Sequence, residues 1–197
     1  MTNIEIYRPR SNLIFAGIGV AMSGFFIWSS FYQGGVATET TSTLVAIFIL
    51  TCIYIFLAHP KITFSDEGIV ITNPIDQFTI GWADVLQLDA KWSMLVETKE
   101  FTASAWAAPA PGRHRSRDIH ITEVKGLGIE IDGSIRPADS PKSDSGAATY
   151  RARVRLKKFE NSPGATSLRT SKVRHYRPIV IAGASLIAAI TVNFFGH

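Results

Sequence analysis

Cysteine occurs once in 197 residues, at Cys52, so the chain can build neither an intramolecular disulfide nor a multi-cysteine metal site. A phosphate-cradling glycine loop, a His-Glu-x-x-His pair and a nucleophile elbow are also missing. The five histidines are His59, His114, His120, His175 and His197. Two lie in basic segments and one is the last residue, while His114 and His120 stand six apart, a weak ligand spacing. The adjacent carboxylates Asp66-Glu67 are explained by a turn. These gaps argue against an enzyme, and the expectation is no catalytic residue, no metal, no cofactor and no small-molecule substrate.

Charge is absent from three runs, Leu13–Tyr32, Thr43–Ala58 and Pro178–Phe195, of 20, 16 and 18 residues, none holding Asp, Glu, Lys, Arg or His. A bilayer-spanning helix needs about 20 mostly apolar residues. The first and third runs meet that length, and the second does so if it starts near Thr40 or Thr41. A cleaved signal peptide is the competing reading of the first run. Its apolar stretch would be shorter, and a second hydrophobic run would not follow ten residues later. The division expected is 1–60 for an N-terminal segment and a hairpin of spans (about 13–32 and 41–58). A soluble domain follows over 61–160, then a basic linker over 161–177 and a third span over 178–197. With no ionisable group inside the spans beyond Cys52 and Tyr54, transport is disfavoured.

Lysine and arginine are missing from the loop Gln33–Ser42, whose one charge is Glu39. Arg8 and Arg10 precede the first span, Lys61 follows the second, and Arg169, Lys172, Arg174 and Arg177 precede the third. By the positive-inside rule the N-terminus and residues 59–177 are cytoplasmic in a multi-pass plasma-membrane protein, with the C-terminus outside. Tyr7, Trp28, Tyr32 and Tyr176 sit at span edges, where amphipathic rings belong.

Acidic residues are scarce near the third span. Residues 61–144 carry 9 Lys/Arg and 13 Asp/Glu, net −4, whereas residues 145–177 carry 9 Lys/Arg and only Glu160, net +8. A polybasic segment beside a membrane gains about 1 kcal/mol per cation from anionic lipid. Arg169, Lys172, Arg174 and Arg177 are therefore candidate lipid contacts, against the plainer reading that they fix topology and solvate a surface. Nucleic acid is disfavoured as a partner, because the segment is tethered to a membrane and lacks interleaved stacking aromatics.

From Lys61 the periodicity turns from helical to alternating. Ile62 and Phe64 alternate with Lys61, Thr63 and Ser65, and Asp66-Glu67-Gly68 supplies a turn in which Gly68 is free to take positive φ. Ile69–Thr72 follows, closed by Asn73-Pro74. Phe78, Ile80 and Trp82, then Leu86, Leu88 and Ala90, mark two more strands. Trp92–Glu97 and Phe101–Trp106 form a hairpin about Thr98-Lys99-Glu100. Six short strands with dense turn signals predict an antiparallel sandwich or barrel that needs a cover. A long loop is expected over 107–146, its first part Ala107–Arg117 exposed and basic. Within it Ile119–Ile131 suits a short helix or strand, and Asp132–Gly146, rich in Gly, Pro, Ser and Asp, an extended or flexible segment. Tyr150–Lys157 alternates strictly, which reads as strand. Ser145 as N-cap, with Ala147, Tyr150 and Val154 on one face, reads as helix.

The segments Pro60–Phe64, Asp66–Ile71, Asn73-Pro74 and Ile80-Gly-Trp82-Ala-Asp84-Val85, with Arg8-Pro9-Arg10 ahead of the first span, resemble the PH-domain membrane proteins of high-GC Gram-positive bacteria. The resemblance covers about residues 8–106. It implies a helical hairpin followed by a small PH-like barrel, with 145–160 as a helix plugging one end, and it tips 145–160 towards helix. Gly68 would close a hairpin, Trp82 anchor the core and Asp84 cap a turn. Phosphoinositide binding is not carried over, since the loop between the first two strands, Asp66-Glu67-Gly68, is short and acidic.

In the spans, Gly17, Ala21 and Gly24 line one stripe of the first helix. Ala184 and Ala188 repeat in the third, with Ser185 and Ala189 alongside. Small residues let helix backbones approach in lipid, either within the chain or against another protein. The reading is a membrane protein whose PH-like domain serves as an interaction or self-assembly scaffold. The alternatives are a small accessory subunit of a respiratory or envelope-biogenesis complex, and a module binding anionic lipid. Partners expected are membrane lipids and either another protein or further copies of the chain.

Overall fold

The computed structural model describes residues 1–32, 35–110 and 140–195. The chain forms two compact units: Met1–Pro9 with Pro60–Val173, and Arg10–His59 with Arg174–His197.

Among the described residues the first unit holds eight strands and one α-helix. Strands β2 (Lys61–Phe64), β3 (Gly68–Thr72), β4 (Asp76–Gly81), β5 (Val85–Asp89), β6 (Ser93–Thr98) and β7 (Thr102–Pro109) are the six that alternation picks out. Two more, β1 (Glu5–Tyr7) and β8 (Ser171–Arg174), lie in stretches too short or too polar to signal themselves. They complete a five-stranded sheet of order β1-β2-β3-β4-β8, beside a three-stranded sheet β5-β6-β7. Residues expected to form only a basic linker thus supply an edge strand. The two sheets remain separate rather than closing into a barrel. The core is the inward set: Ile62, Phe64, Ile69, Ile71, Phe78 and Ile80 from one sheet meet Leu88, Met94, Val96, Ala103 and Ala105 from the other.

Trp82 is fully buried in that core, and its Nε1–H donates to the Ser65 carbonyl at 3.0 Å. The Ser65 hydroxyl also accepts from the Gly68 amide at 3.2 Å, tightening the β2–β3 turn. Gly68 does not take positive φ. It is needed for space: a Cβ there would stand 2.4 Å from the Ile80 carbonyl oxygen and 2.9 Å from Leu168 Cδ1. Its cross-strand partner Gly81 is tighter still, with Leu168 O at 2.1 Å and Ser167 Oγ at 2.3 Å from such a Cβ. Asp84 ends a single 3₁₀ turn, Trp82–Asp84, without capping it; its carboxylate accepts from the Thr170 hydroxyl instead. Asn73 does more than end β3. Its side chain donates to Ser104 O at 2.7 Å and accepts from Trp106 N at 2.9 Å, joining the two sheets where β7 departs from regular register.

β7 runs on to Pro109 and buries Ala107 and Ala108, so the exposed loop expected from Ala107 does not begin there. Ile119–Ile131, His114 and His120 lie outside the described residues, as do Asp132–Asp139 and His197. Asp144–Glu160 is helix α3. Its N-cap is Ser143, whose side chain accepts from Gly146 N at 2.9 Å, rather than Ser145, which is buried in the first turn. The buried stripe of α3 is Ser145, Ala148, Thr149 and Ala152, at the 3.6-residue period. Tyr150 and Val154, expected to share a helical face with Ala147, lie off this stripe and are 39% and 51% exposed. The strict alternation over 150–157 came from a helix with cations on two sides, not from a strand.

Among its described residues the second unit contains three helices long and apolar enough to cross a membrane: Ser11–Ser30, Thr38–Ala58 and Arg177–Phe195. Helix α1 is Arg10–Ser30 and α4 is Arg177–Phe195, while α2, Val36–Ile53, continues as a π-helical turn Tyr54–Ala58. The second of these helices runs 21 residues, and near its start Thr40 and Thr43 return their hydroxyls to carbonyls one turn back, Val36 O and Glu39 O, at 2.8 Å each. α2 packs against both α1 and α4. Arg8-Pro9, His59-Pro60 and His175-Tyr176 join α1, α2 and α4 to β1, β2 and β8, all strands of the five-stranded sheet.

Candidate interaction site

Local sequence positions the basic side chains in two groups. The first lies on α3, where Arg151, Arg155 and Lys158 share one face at i, i+4 and i+7. Arg151 reaches Glu5 of β1 at 2.8 Å and stacks over the Tyr7 ring, 5.2 Å from its centroid. Arg155 donates to Asn3 O at 2.9 Å and pairs with Glu5 at 3.2 Å and Asp66 at 3.5 Å. Lys158 meets Asp66 at 3.1 Å. The Tyr7 hydroxyl donates to Asp144 at 2.6 Å, at the start of α3. Burial and the adjacent Asp144 carboxylate hold that phenol neutral well above its ordinary range. Around these contacts lies a cleft of about 280 Å³, lined by Asn3, Glu5, Asp66, Tyr150, Arg151, Val154, Arg155 and Lys158. Three of the nine cations counted over residues 145–177 are thus paired with the two carboxylates Glu5 and Asp66.

The second group surrounds β8. Ser167 accepts from Ala83 N at 3.2 Å, Leu168 N donates to Glu67 O at 2.9 Å, and the Thr170 hydroxyl accepts from Gly81 N at 3.2 Å. This clip lies over the Gly68–Gly81 pair. Of the four lipid candidates, Lys172 is turned to Asp76 at 3.5 Å and lies over the Phe78 ring. Arg174 donates to the Tyr176 hydroxyl at 3.2 Å. Arg169 and Arg177 are exposed. Sequence reasoning missed this clip; its signal was Gly81 inside a strand, which marks a close backbone approach.

Glu67 is the other perturbed group. The Thr2 amide donates to its carboxylate at 2.8 and 3.0 Å, and the Thr2 hydroxyl at 3.0 Å, which lowers its pKa to about 2. Among the described residues no group of three or more His, Cys, Asp or Glu side chains could hold a metal ion.

Set against family models, curated proteins and solved structures, the chain finds no match.

In the second unit the helix-packing candidates divide. The face of α1 with the least exposure carries Ala16, Gly19, Ser23 and Ser30, and Gly19 meets α2 so closely that a Cβ would stand 2.5 Å from Ile53 Cδ1. Gly17, Ala21 and Gly24 are exposed, and a Cβ at Gly17 or Gly24 would meet nothing within 4 Å. In α4 the buried residues are Ala182, Ser185 and Ala189, with Ala188 half-buried and Ala184 exposed.

Proposed function

We propose that this protein is a non-enzymatic integral membrane scaffold whose PH-like domain, at the inner face of the membrane, assembles with another protein or with further copies of itself. One observation carries the reading: the Gly17–Ala21–Gly24 stripe is left unpacked within the chain while a separate small-residue face joins α1 to α2. In lipid, where apolar burial gives helices no net drive to associate, small residues favour close backbone contact. The PH-like assignment is supported by two antiparallel sheets packed face to face, followed by a helix against β5, β6, β7 and β2. All three spans are joined to one sheet, so a partner bound at either unit acts on a chain tied at three points. Exposed Arg169 and Arg177 support a secondary contact with anionic lipid.

The test is purification of the full chain in mild detergent, followed by native mass spectrometry. A defined oligomer supports self-assembly. Stoichiometric partners support the accessory-subunit form of the reading, and their identity names the process. A lone monomer with no partner in detergent or nanodiscs overturns both.

A further inference from the structure

We infer that the cleft between β1 and α3 is a docking groove for an extended acidic peptide, which adds to the five-stranded sheet beside β1. The inference rests on the scaffold reading and names the partner class and the surface.

Among the described residues β1 is the outermost strand of its sheet, hydrogen-bonded to β2 along one side, so its other side offers backbone donors and acceptors to an added strand. The cleft of about 280 Å³ lies between this strand and α3. That size is at the lower limit of small-molecule pockets, about 300 Å³, and suits individual side chains of a strand better than a cofactor. Three cations line it against the two carboxylates Glu5 and Asp66. Beyond these three, α3 adds Arg153, which donates to Leu88 O at 3.1 Å, and Lys157, with no acid between Arg151 and Lys158. Arg155 is locked in place, its side chain 13% exposed, whereas Arg151 and Lys158 remain 42% and 60% exposed and face an incoming chain.

The apolar component is present too. Tyr150 and Val154 lie on the rim of the cleft, off the buried stripe of α3, and Ile4, just before β1, and Ile6, within it, are each 55% exposed. An extended peptide alternating acidic and apolar residues meets both features, one on each side of its pleat. A second copy of this chain is the poorer occupant. Two-fold pairing of β1 about Glu5 sets Glu5 against Glu5, and it brings two cationic α3 faces together.

The full chain in phosphatidylcholine nanodiscs, challenged with a random peptide library, tests this. The selected peptides should alternate acidic and apolar residues and raise amide protection at Glu5–Tyr7. Val154→Asp and Lys158→Gln, both at exposed positions, should each weaken binding by about tenfold or more. Absence of any binder, selection of neutral or basic peptides, or binding that leaves β1 unprotected overturns the inference. So does protection of β1 that appears only when phosphatidylglycerol replaces phosphatidylcholine, which would make the groove a lipid site. Partners that co-purify undiminished with Val154→Asp overturn the groove while leaving the scaffold reading intact.

Discussion

Gly81 shows how much a single missing Cβ can decide. Alanine there would set its Cβ against a backbone oxygen, Leu168 O, which cannot swing aside as a side chain end can. Overpacking of this kind costs about 1–3 kcal/mol. Gly81→Ala should therefore release the 167–170 clip, seen as lost hydrogen-exchange protection at the Leu168 amide while the Val96 amide stays protected. Trp82 makes a second test. Trp82→Ala should destabilise the domain by about 3–5 kcal/mol, measured by thermal unfolding. Trp82→Phe should cost less, yet leave the buried Ser65 carbonyl without its indole donor. Glu67 sets a pH dependence. Its folded pKa, lowered to about 2 by the Thr2 amide and hydroxyl, lies below the ordinary 4.5, so its stabilising contribution is complete above about 4.5 and disappears as pH falls through about 2. Glu67→Gln should flatten the acid limb of stability measured between those values. In the sequence, Trp82 was legible as a core anchor and Gly68 as a turn residue. The clip was not, because it joins residues more than 80 positions apart and alternation reports only local order.

At the scale of the element, the two faces of α1 make opposite predictions. Gly19→Leu should break the packing of α1 on α2, because Ile53 already occupies the space a larger side chain needs. Gly17→Leu and Gly24→Leu should leave the three helices intact and disrupt association with other chains. Disulfide trapping of paired cysteines in α1 and α2, read beside native mass spectrometry, separates the outcomes; a Gly17→Leu protein with unchanged assembly removes the main support for the scaffold. α3 teaches a related lesson. Its cations fall at every second position and mimic a strand, yet its small residues Ser145, Ala148, Thr149 and Ala152 keep helical period and are the ones buried. Burial followed the small residues, since the helix lies close over the sheet, and the larger Tyr150 and Val154 were left outside. β8 was hidden for a different reason: a four-residue strand with two cations is recognisable only by the edge it pairs with.

For the whole molecule, charge placement leads to a topology that can be measured. In a Cys52→Ser background, Val36→Cys should react with an impermeant thiol reagent from outside intact cells, and Val173→Cys only after permeabilisation. The reverse pattern would invert the orientation. The basic residues near the third span should also behave unequally. Arg169→Glu with Arg177→Glu should reduce the phosphatidylglycerol retained by the purified protein in native mass spectrometry. Lys172→Glu should instead loosen β8, by setting two carboxylates together at Asp76. The three long apolar helices, the six central strands and the core tryptophan were determined by sequence alone, because apolar run length and two-residue alternation are local and survive without knowledge of the partner surface. The tertiary structure decided the rest: the separation of the two sheets, the recruitment of β1 and β8 to one of them, and the face α3 buries. It also decided which cations are matched and which remain exposed. Each of those depends on residues far apart in the chain meeting in space, and no periodicity along the chain encodes that meeting.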